Sequence, residues 1–496
     1  MNVALSEKDR KFREFALEGS MWKVIWKVCY PLAIYQSLNQ LFKILDTMMA
    51  AHISANAVST VAYLSQINMA ISALGGGLAV GASIKISEAY GEGNFELVKR
   101  RVSTLFALCG LLGMAILAIL IPVAPQFLRL ANTPEEFIEE GTVYFILELV
   151  SLVIIFFNNV YIAIERARGN SKRILNLNMM VIGIKLSLTA FFVYVLKGGI
   201  NYISIATIVS QLTLFGAAVF YMNAKENVFG FSWKAISFRK LVVAPMIKLS
   251  VPVIVEKMAF SLGKVVVNSM STVYGTLTVG ALGISNNIGG ITTNPQNGFQ
   301  EGASAIISQN LGAGKKKRAL KAFWCVLVMN LILSVILMLA SLLCLHQIAD
   351  LFANGDHEFA GRIMEIYRME ALGTIPLGAS AAVMAFLYGY GKTKLTLLLN
   401  FSRVFVFRIP VLWGLQHFTD LGNVSAGIVM AVSNIMTAVM SLVIFAIEFC
   451  QIQKKKKGQT QSKANVLRQE NGGKHDWYTG AEENQNPETP GSVQNK

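Results

Sequence analysis

Ionisable side chains interrupt the apolar stretches of this chain at a few places, and these define the chemistry open to it. Asp46 stands one helical turn after Lys43, Glu256 stands one turn after Pro252 with Lys257 beside it, and Glu370 lies in a later apolar stretch. A charge in a hydrocarbon setting is costly, so each is a functional candidate by default. A carboxylate at Asp46 would bind a proton or a hard cation such as Na⁺, with Thr47, Asn68 and Asn159 as further oxygen donors. The same i, i+3 spacing also allows a local ion pair with Lys43 that neutralises both charges. Lys43 and Lys264, 221 residues apart, are joined by Lys185, Arg403 and Arg408 as basic residues within apolar stretches. Two lysines facing one cleft would attract an anionic group, whereas long basic side chains near an interface simply reach for water. Asn286, Asn287, Asn294, Pro295, Gln296 and Asn297 form a polar run. It is expected, with Asn159, to line a cleft, the alternative being helix–helix packing; Pro295 removes one helix hydrogen bond there.

The elements that must position these groups are membrane spans. The chain has 496 residues, 54% hydrophobic and 15% charged, with mean hydropathy +0.50. Soluble domains carry about a quarter charged residues. Twelve stretches are long and apolar enough to cross a bilayer: 24–50, 57–83, 102–124, 141–163, 176–197, 201–222, 246–270, 276–303, 321–345, 363–388, 395–416 and 421–449. They predict an N-terminal segment 1–23, a first lobe 24–222, a linker 223–245, a second lobe 246–449 and a tail 450–496 whose Gln, Asn, Gly, Ser and Lys content reads as disordered.

The two lobes are repeats. Pro31 and Pro252, Lys43 and Lys264, Gly81-Ala82-Ser83 and Gly302-Ala303-Ser304, and Gly91 and Gly312 all lie 221 residues apart. Further on the spacing becomes 222, as for Gly169 and Gly391 or Asn178 and Asn400. Six spans per repeat is an even number, so both repeats enter the membrane in the same sense, as parallel repeats do in secondary transporters. Gly75-Gly76-Gly77 with Gly81 has the small-residue spacing of close helix packing. Pro31 and Pro252 would open their helices, where proline is tolerated, and Pro376 lies deep enough to kink its span.

Lys and Arg concentrate in alternate loops and at both termini, which places the termini in the cytoplasm. This accounts for most of the net charge of +15 and leaves no case for a nucleic-acid partner. Five cysteines without paired spacing imply no disulfide framework or metal site. No signal peptide is expected. Nor is there a zinc-helix motif, nucleophile elbow or phosphate loop, so an enzyme is not expected.

Leu45-Asp46-Thr47-Met48-Met49-Ala50-Ala51-His52-Ile53-Ser54-Ala55 resembles the end of the first span in the multidrug and toxin extrusion (MATE) family. The segment Gly302-Ala303-Ser304 through Gln309-Asn310-Leu311-Gly312-Ala313-Gly314 is similar to that family's stretch after span eight, and Gly389-Tyr390-Gly391-Lys392-Thr393 to its turn before span eleven. The resemblance covers about residues 20–450. It implies an all-α polytopic membrane protein whose twelve transmembrane helices form two parallel six-helix repeats in a V-shaped transporter. It implies export of organic small molecules in exchange for Na⁺ or H⁺ by alternating access, with no other cofactor. Asp46 and acids in the seventh and tenth spans, here Glu256 and Glu370, would carry the cation, Na⁺ at Asp46 included. The expected partners are a small organic substrate and membrane lipid; a monomer in the plasma or inner membrane is expected. An organic-anion exporter or a lipid-linked-precursor flippase of the same superfamily is the alternative.

Overall fold

Long runs of Leu, Ile, Val, Ala and Phe with few prolines make the chain helical almost throughout. The computed structural model describes residues 5–50, 55–130, 135–224, 227–353 and 355–475, with side chains described at all of these except 43–44, 46–50, 55–63, 65–66, 135–137, 139–140, 276 and 455–475. No strand occurs among the described residues. The first half contains α1 (Glu7–Glu18), α2 (Met21–Ala50), α3 (Ala55–Glu92), α4 (Phe95–Leu120), α5 (Ala124–Leu130), α6 (Glu135–Ala167), α7 (Ser171–Ala190), which runs into a π-helical turn, and α8 (Ile200–Met222). The second contains α9 (Lys240–Ser271), α10 (Thr276–Gly312), α11 (Lys316–Leu343), α12 (Leu345–Ala353), α13 (His357–Ala371), α14 (Thr374–Gly389), α15 (Thr393–Phe401), a π-helical segment (Ser402–Arg408), α16 (Ile409–Phe418) and α17 (Val424–His475). Helix starts use side-chain caps where the chain leaves a turn: Asn94 accepts from the Leu97 amide and Asp356 from the Phe359 amide.

Eight of these helices, and a ninth span made by α13 and α14 together, are long and apolar enough to cross a membrane. The other three expected spans are the helices α2, α9 and α10. Their Lys, Glu, Asn and Gln lower their hydropathy, and much of that polar set lines one cavity, while Trp26, Leu41, Val255 and Leu262 on the same helices stay exposed. The expected span 363–388 is broken: α13 and α14 meet at a bend of 48°. Pro376, third residue of α14, has no N–H to give the Leu372 carbonyl, so the ladder fails there. Pro31 and Pro252 do not open helices as expected but lie inside α2 and α9. The segment 450–496, read as disordered, is helical as far as His475; its Gln, Lys, Leu, Arg and Glu are good helix formers. The described residues from Val443 onward form a unit of their own, in which Phe445 stacks on Phe449.

The halves exchange partners: α3 of the first packs along α9 of the second, and α10 of the second along α2 of the first. The contacts are reciprocal. A Cβ on Gly77 would lie 2.8 Å from the Ile254 Cα, and one on Gly298 2.7 Å from the Ala33 Cα. A Cβ on Gly81 would lie 2.3 Å from the Ser250 Cα, and one on Gly302 2.8 Å from the Cys29 Sγ. At the far end, Gly91 abuts the Gln309 carbonyl and Gly312 the Glu88 carbonyl, each 2.0 Å from an added Cβ. Every one of these residues stands 221 positions from its counterpart. So do the hydrogen-bonding groups: Ser250 Oγ donates to the Leu78 carbonyl (3.1 Å) and Cys29 Sγ to the Phe299 carbonyl (3.5 Å). This is a pseudo-twofold seam of backbone against backbone, available only to small residues.

Helix α1 straps the end of the seam. Arg168 makes a bidentate pair with Asp9 (Nε–Oδ1 2.5 Å, Nη2–Oδ2 2.7 Å) and also bonds Glu165. Burial works against the Arg168 charge, but the Asp9 and Glu165 carboxylates prevail and hold it above the usual arginine range. From the second half, Arg318 Nη2 donates to the Ala16 and Gly19 carbonyls and Lys315 Nζ to the Leu17 carbonyl.

Candidate functional site

A cavity of about 740 Å³ lies between the halves. Its wall includes Glu256, Glu370, Lys264, Asn286, Asn287, Asn294, Asn297 and Asn159. These candidates, spread over 211 positions of sequence from Asn159 to Glu370, therefore share one space. The side chains of Lys43, Asp46 and Thr47, the last two expected to form a cation site with Asn68 and Asn159, lie outside the described residues; Asn68 is buried. Lys185 is not on the wall.

Glu256 projects from α9 into contact with α14 and α15. Its Oε1 accepts from Tyr388 Oη and Asn400 Nδ2, and its Oε2 from Thr396 Oγ1, all at 2.7 Å. Lys257, next in sequence, does not close an ion pair on it among the described residues; the carboxyl is held by neutral groups. Thr396 is the informative member. Its hydroxyl also lies 2.9 Å from the Thr393 carbonyl, yet it has one proton to give. With Glu256 ionised, that proton points to Oε2. With Glu256 protonated, the carboxylic acid donates to Oγ1 and Thr396 turns its own proton to the carbonyl. Both states are fully hydrogen-bonded in one heavy-atom arrangement.

Glu370, near the C-terminus of α13, is bonded by the Ser285 hydroxyl of α10. It packs over Gly289, where an added Cβ would meet Oε1 at 2.6 Å. The break between α13 and α14 lets this acid turn inward. Gln40 of α2 joins the halves across the cavity: its Oε1 accepts from Asn294 Nδ2 (3.0 Å) and its Nε2 donates to the Asn287 carbonyl (3.2 Å). Glu301, also on the wall, pairs with Arg166 of α6 at 3.1 Å.

Sequence reasoning missed the partners of the acids. Tyr388, Thr396, Asn400 and Ser285 are ordinary span residues until the helices are packed. Asn400 alone carried a signal, as the repeat partner of Asn178. Arg403 and Arg408 were noted as basic span residues, but not as wall residues, which they are.

The protein has relatives along most of its length. It is 22% identical over 412 residues to the probable multidrug resistance protein YoeA of Bacillus subtilis, covering 81% of this chain and 88% of that protein. It is 21% identical over 443 residues to the probable multidrug resistance protein NorM of Thermotoga maritima, covering 85% and 92%. Its fold matches an outward-facing MATE family transporter of the MOP superfamily with a TM-score of 0.85 at 19% identity, over 91% of this chain and all of that one. It matches equally well (0.85, 19% identity, 91% and 99% covered) a MOP superfamily transporter from Pyrococcus furiosus described by the reverse polarity of its binding pocket. The MatE family model matches residues 31–191 and 252–414, one match in each repeat. Two six-helix repeats, a shared polar cavity and these matches together make this integral membrane protein a member of the MatE family of transporters.

Proposed function

We propose that the protein exports an organic small molecule by alternating access, driven by inward movement of H⁺ or Na⁺, with Glu256 as the principal coupling group. The observation that carries this is the Glu256 cluster, where one heavy-atom arrangement satisfies both the ionised and the protonated carboxyl. Such a group loads and unloads a proton without breaking its surroundings. The same oxygens of Glu256, Tyr388 and Thr396 are hard donors suited to Na⁺. Glu370 is a second ionisable group on the same wall, and Asp46 remains a candidate of the first repeat. A ligand shifts a two-state equilibrium only through differential affinity. Cation and substrate must therefore favour opposite arrangements of the halves. With the termini inside the cell, the glycine seam and the α1 strap form the inner gate, and opening it turns the cavity inward. The relatives named for multidrug resistance support organic solutes as cargo.

The test is efflux from proteoliposomes under an imposed pH or Na⁺ gradient, comparing wild type with Glu256→Gln. The expected result is gradient-driven efflux in the wild type and none above background in the variant. The gradient that works names the ion. Efflux in the variant equal to wild type would remove Glu256 from coupling.

A further inference from the structure

The cavity's second-half wall carries a cluster that the coupling chemistry does not use. Arg403 and Arg408 bracket the π-helical segment of span eleven. In an α-helix, residues five apart point about 140° away from each other. The π-helix bonds i to i+5 and stacks such residues on one side. Pro410, just beyond, cannot donate to the Val406 carbonyl, which frees the turn to widen. As a result both guanidiniums reach one neutral acceptor. Asn434 Oδ1 takes Arg403 Nη2 (2.7 Å) and Nε (3.1 Å) and Arg408 Nη2 (3.4 Å), while Arg408 Nε donates to Ser433 Oγ (3.2 Å).

A third cation belongs to the patch. Lys264 Nζ lies 5.0 Å from the centre of the Phe260 ring, and Arg403 Cζ 5.3 Å from it. Glu370 is the nearby carboxylate, yet neither arginine is ion-paired with it within 4.0 Å among the described residues. Two guanidiniums are drawn together on one amide oxygen, with Glu370 nearby but not paired to either; buried charge held by neutral groups is costly, and an anion seated between the arginines would lower that cost. The Nη1 groups of both arginines have no protein partner among the described residues and are not sealed from the cavity. The span does not need arginines to fold: the first-repeat counterparts, 222 positions earlier, are Val181 and Leu186 in regular α-helix.

We propose that Arg403 and Arg408, with Lys264, form a subsite for the anionic group of an organic solute: a carboxylate, sulfonate or phosphate. The planar guanidinium fork suits such oxygens. This names the substrate class of the export cavity, and only the direction of transport rests on that earlier reading. It also assigns the exchange. Protonating Glu370 would strengthen the hold on an anion rather than weaken it. Displacement by a proton is therefore left to Glu256, acting through the equilibrium between the two arrangements.

The test is binding of 5-carboxyfluorescein to the purified full-length protein in detergent, by fluorescence anisotropy, with ethidium as the cationic control. Asn434→Asp places a fixed carboxylate between the two arginines without removing them, so it keeps the fold while occupying the subsite. Saturable carboxyfluorescein binding is expected in the wild type, weakened at least about tenfold in Asn434→Asp, as for loss of a charge-assisted hydrogen bond. Arg403→Lys, which keeps the charge but not the fork, should weaken it less. Displacement of the dye by short-chain phosphatidylglycerol, but not by citrate, would assign the subsite to a lipid headgroup; displacement by citrate assigns it to a free solute. No saturable binding in the wild type, or equal affinity in folded Asn434→Asp, overturns the subsite. Ethidium export without dye binding overturns the subsite alone. Dye binding without gradient-driven flux of either probe overturns the export reading and leaves the subsite standing.

Discussion

The seam and the cavity are built from the same pair of repeats, and they treat that symmetry in opposite ways. Along the seam, each contact made by the first half is returned by the second: Gly91 on Gln309 and Gly312 on Glu88, Ser250 on Leu78 and Cys29 on Phe299. Among the described residues of the cavity wall, charge is not repeated in this way. The described wall residues of the first half, such as Gln36, Asn39, Gln40, Ser72 and Asn159, are uncharged. Those of the second carry Glu256, Lys257, Lys264, Glu301, Glu370, Arg403 and Arg408. Where Glu256 stands in the second repeat, Tyr35 stands in the first. Backbone approach depends only on size, so both repeats satisfy it with the same small residues. Binding depends on charge, and on the described wall the second half supplies it.

This contrast is open to attack from several sides. The largest effect is expected at the strap: Asp9→Asn leaves Arg168 buried without its bidentate partner, which should cost about 3 kcal/mol. Thermal unfolding in detergent would measure it, and an unchanged midpoint would mean that α1 does not hold the seam. Next is Gly312→Ala, whose Cβ has no flexible side chain to push aside, only the Glu88 carbonyl. Overpacking of this kind should cost about 1–3 kcal/mol. Gly91→Ala should match it, since the contact is returned. Gly76→Ala, in open space, should stay within about 0.5 kcal/mol of wild type. If the two seam variants differed as much from each other as from Gly76→Ala, the seam would not be symmetric in energy. The smallest change is in the cavity. Thr396→Val removes the hydroxyl that serves both states of Glu256, at about 1 kcal/mol of stability. Gradient-driven efflux should fall well below wild type while the protein stays folded. Full coupling in that variant would assign proton handling to another group.

Much of this arrangement could be read before folding. The spacing of 221 that links Gly81 to Gly302 and Gly91 to Gly312 marks the seam residues themselves, because a glycine kept at the same place in both repeats is one the packing needs. The asparagines of α10 were legible as wall residues because polar side chains in a span must face something other than lipid. The donors to Glu256 were not legible. Tyr388, Thr396 and Asn400 come from two other helices, and a hydroxyl in a span has no sequence pattern that says which carboxyl it will meet.

The sequence by itself determined the twelve spans, the parallel repeat and the set of polar groups that must leave the lipid. Hydropathy and periodicity are local properties, and they need no knowledge of neighbours. Tertiary structure alone decided how those groups are paired. It set α3 of one half against α9 of the other, broke span ten so that Glu370 turns inward, and widened span eleven so that Arg403 and Arg408 share Asn434. Each of these depends on the close approach of helices far apart in the chain, where a fraction of an ångström separates a hydrogen bond from none.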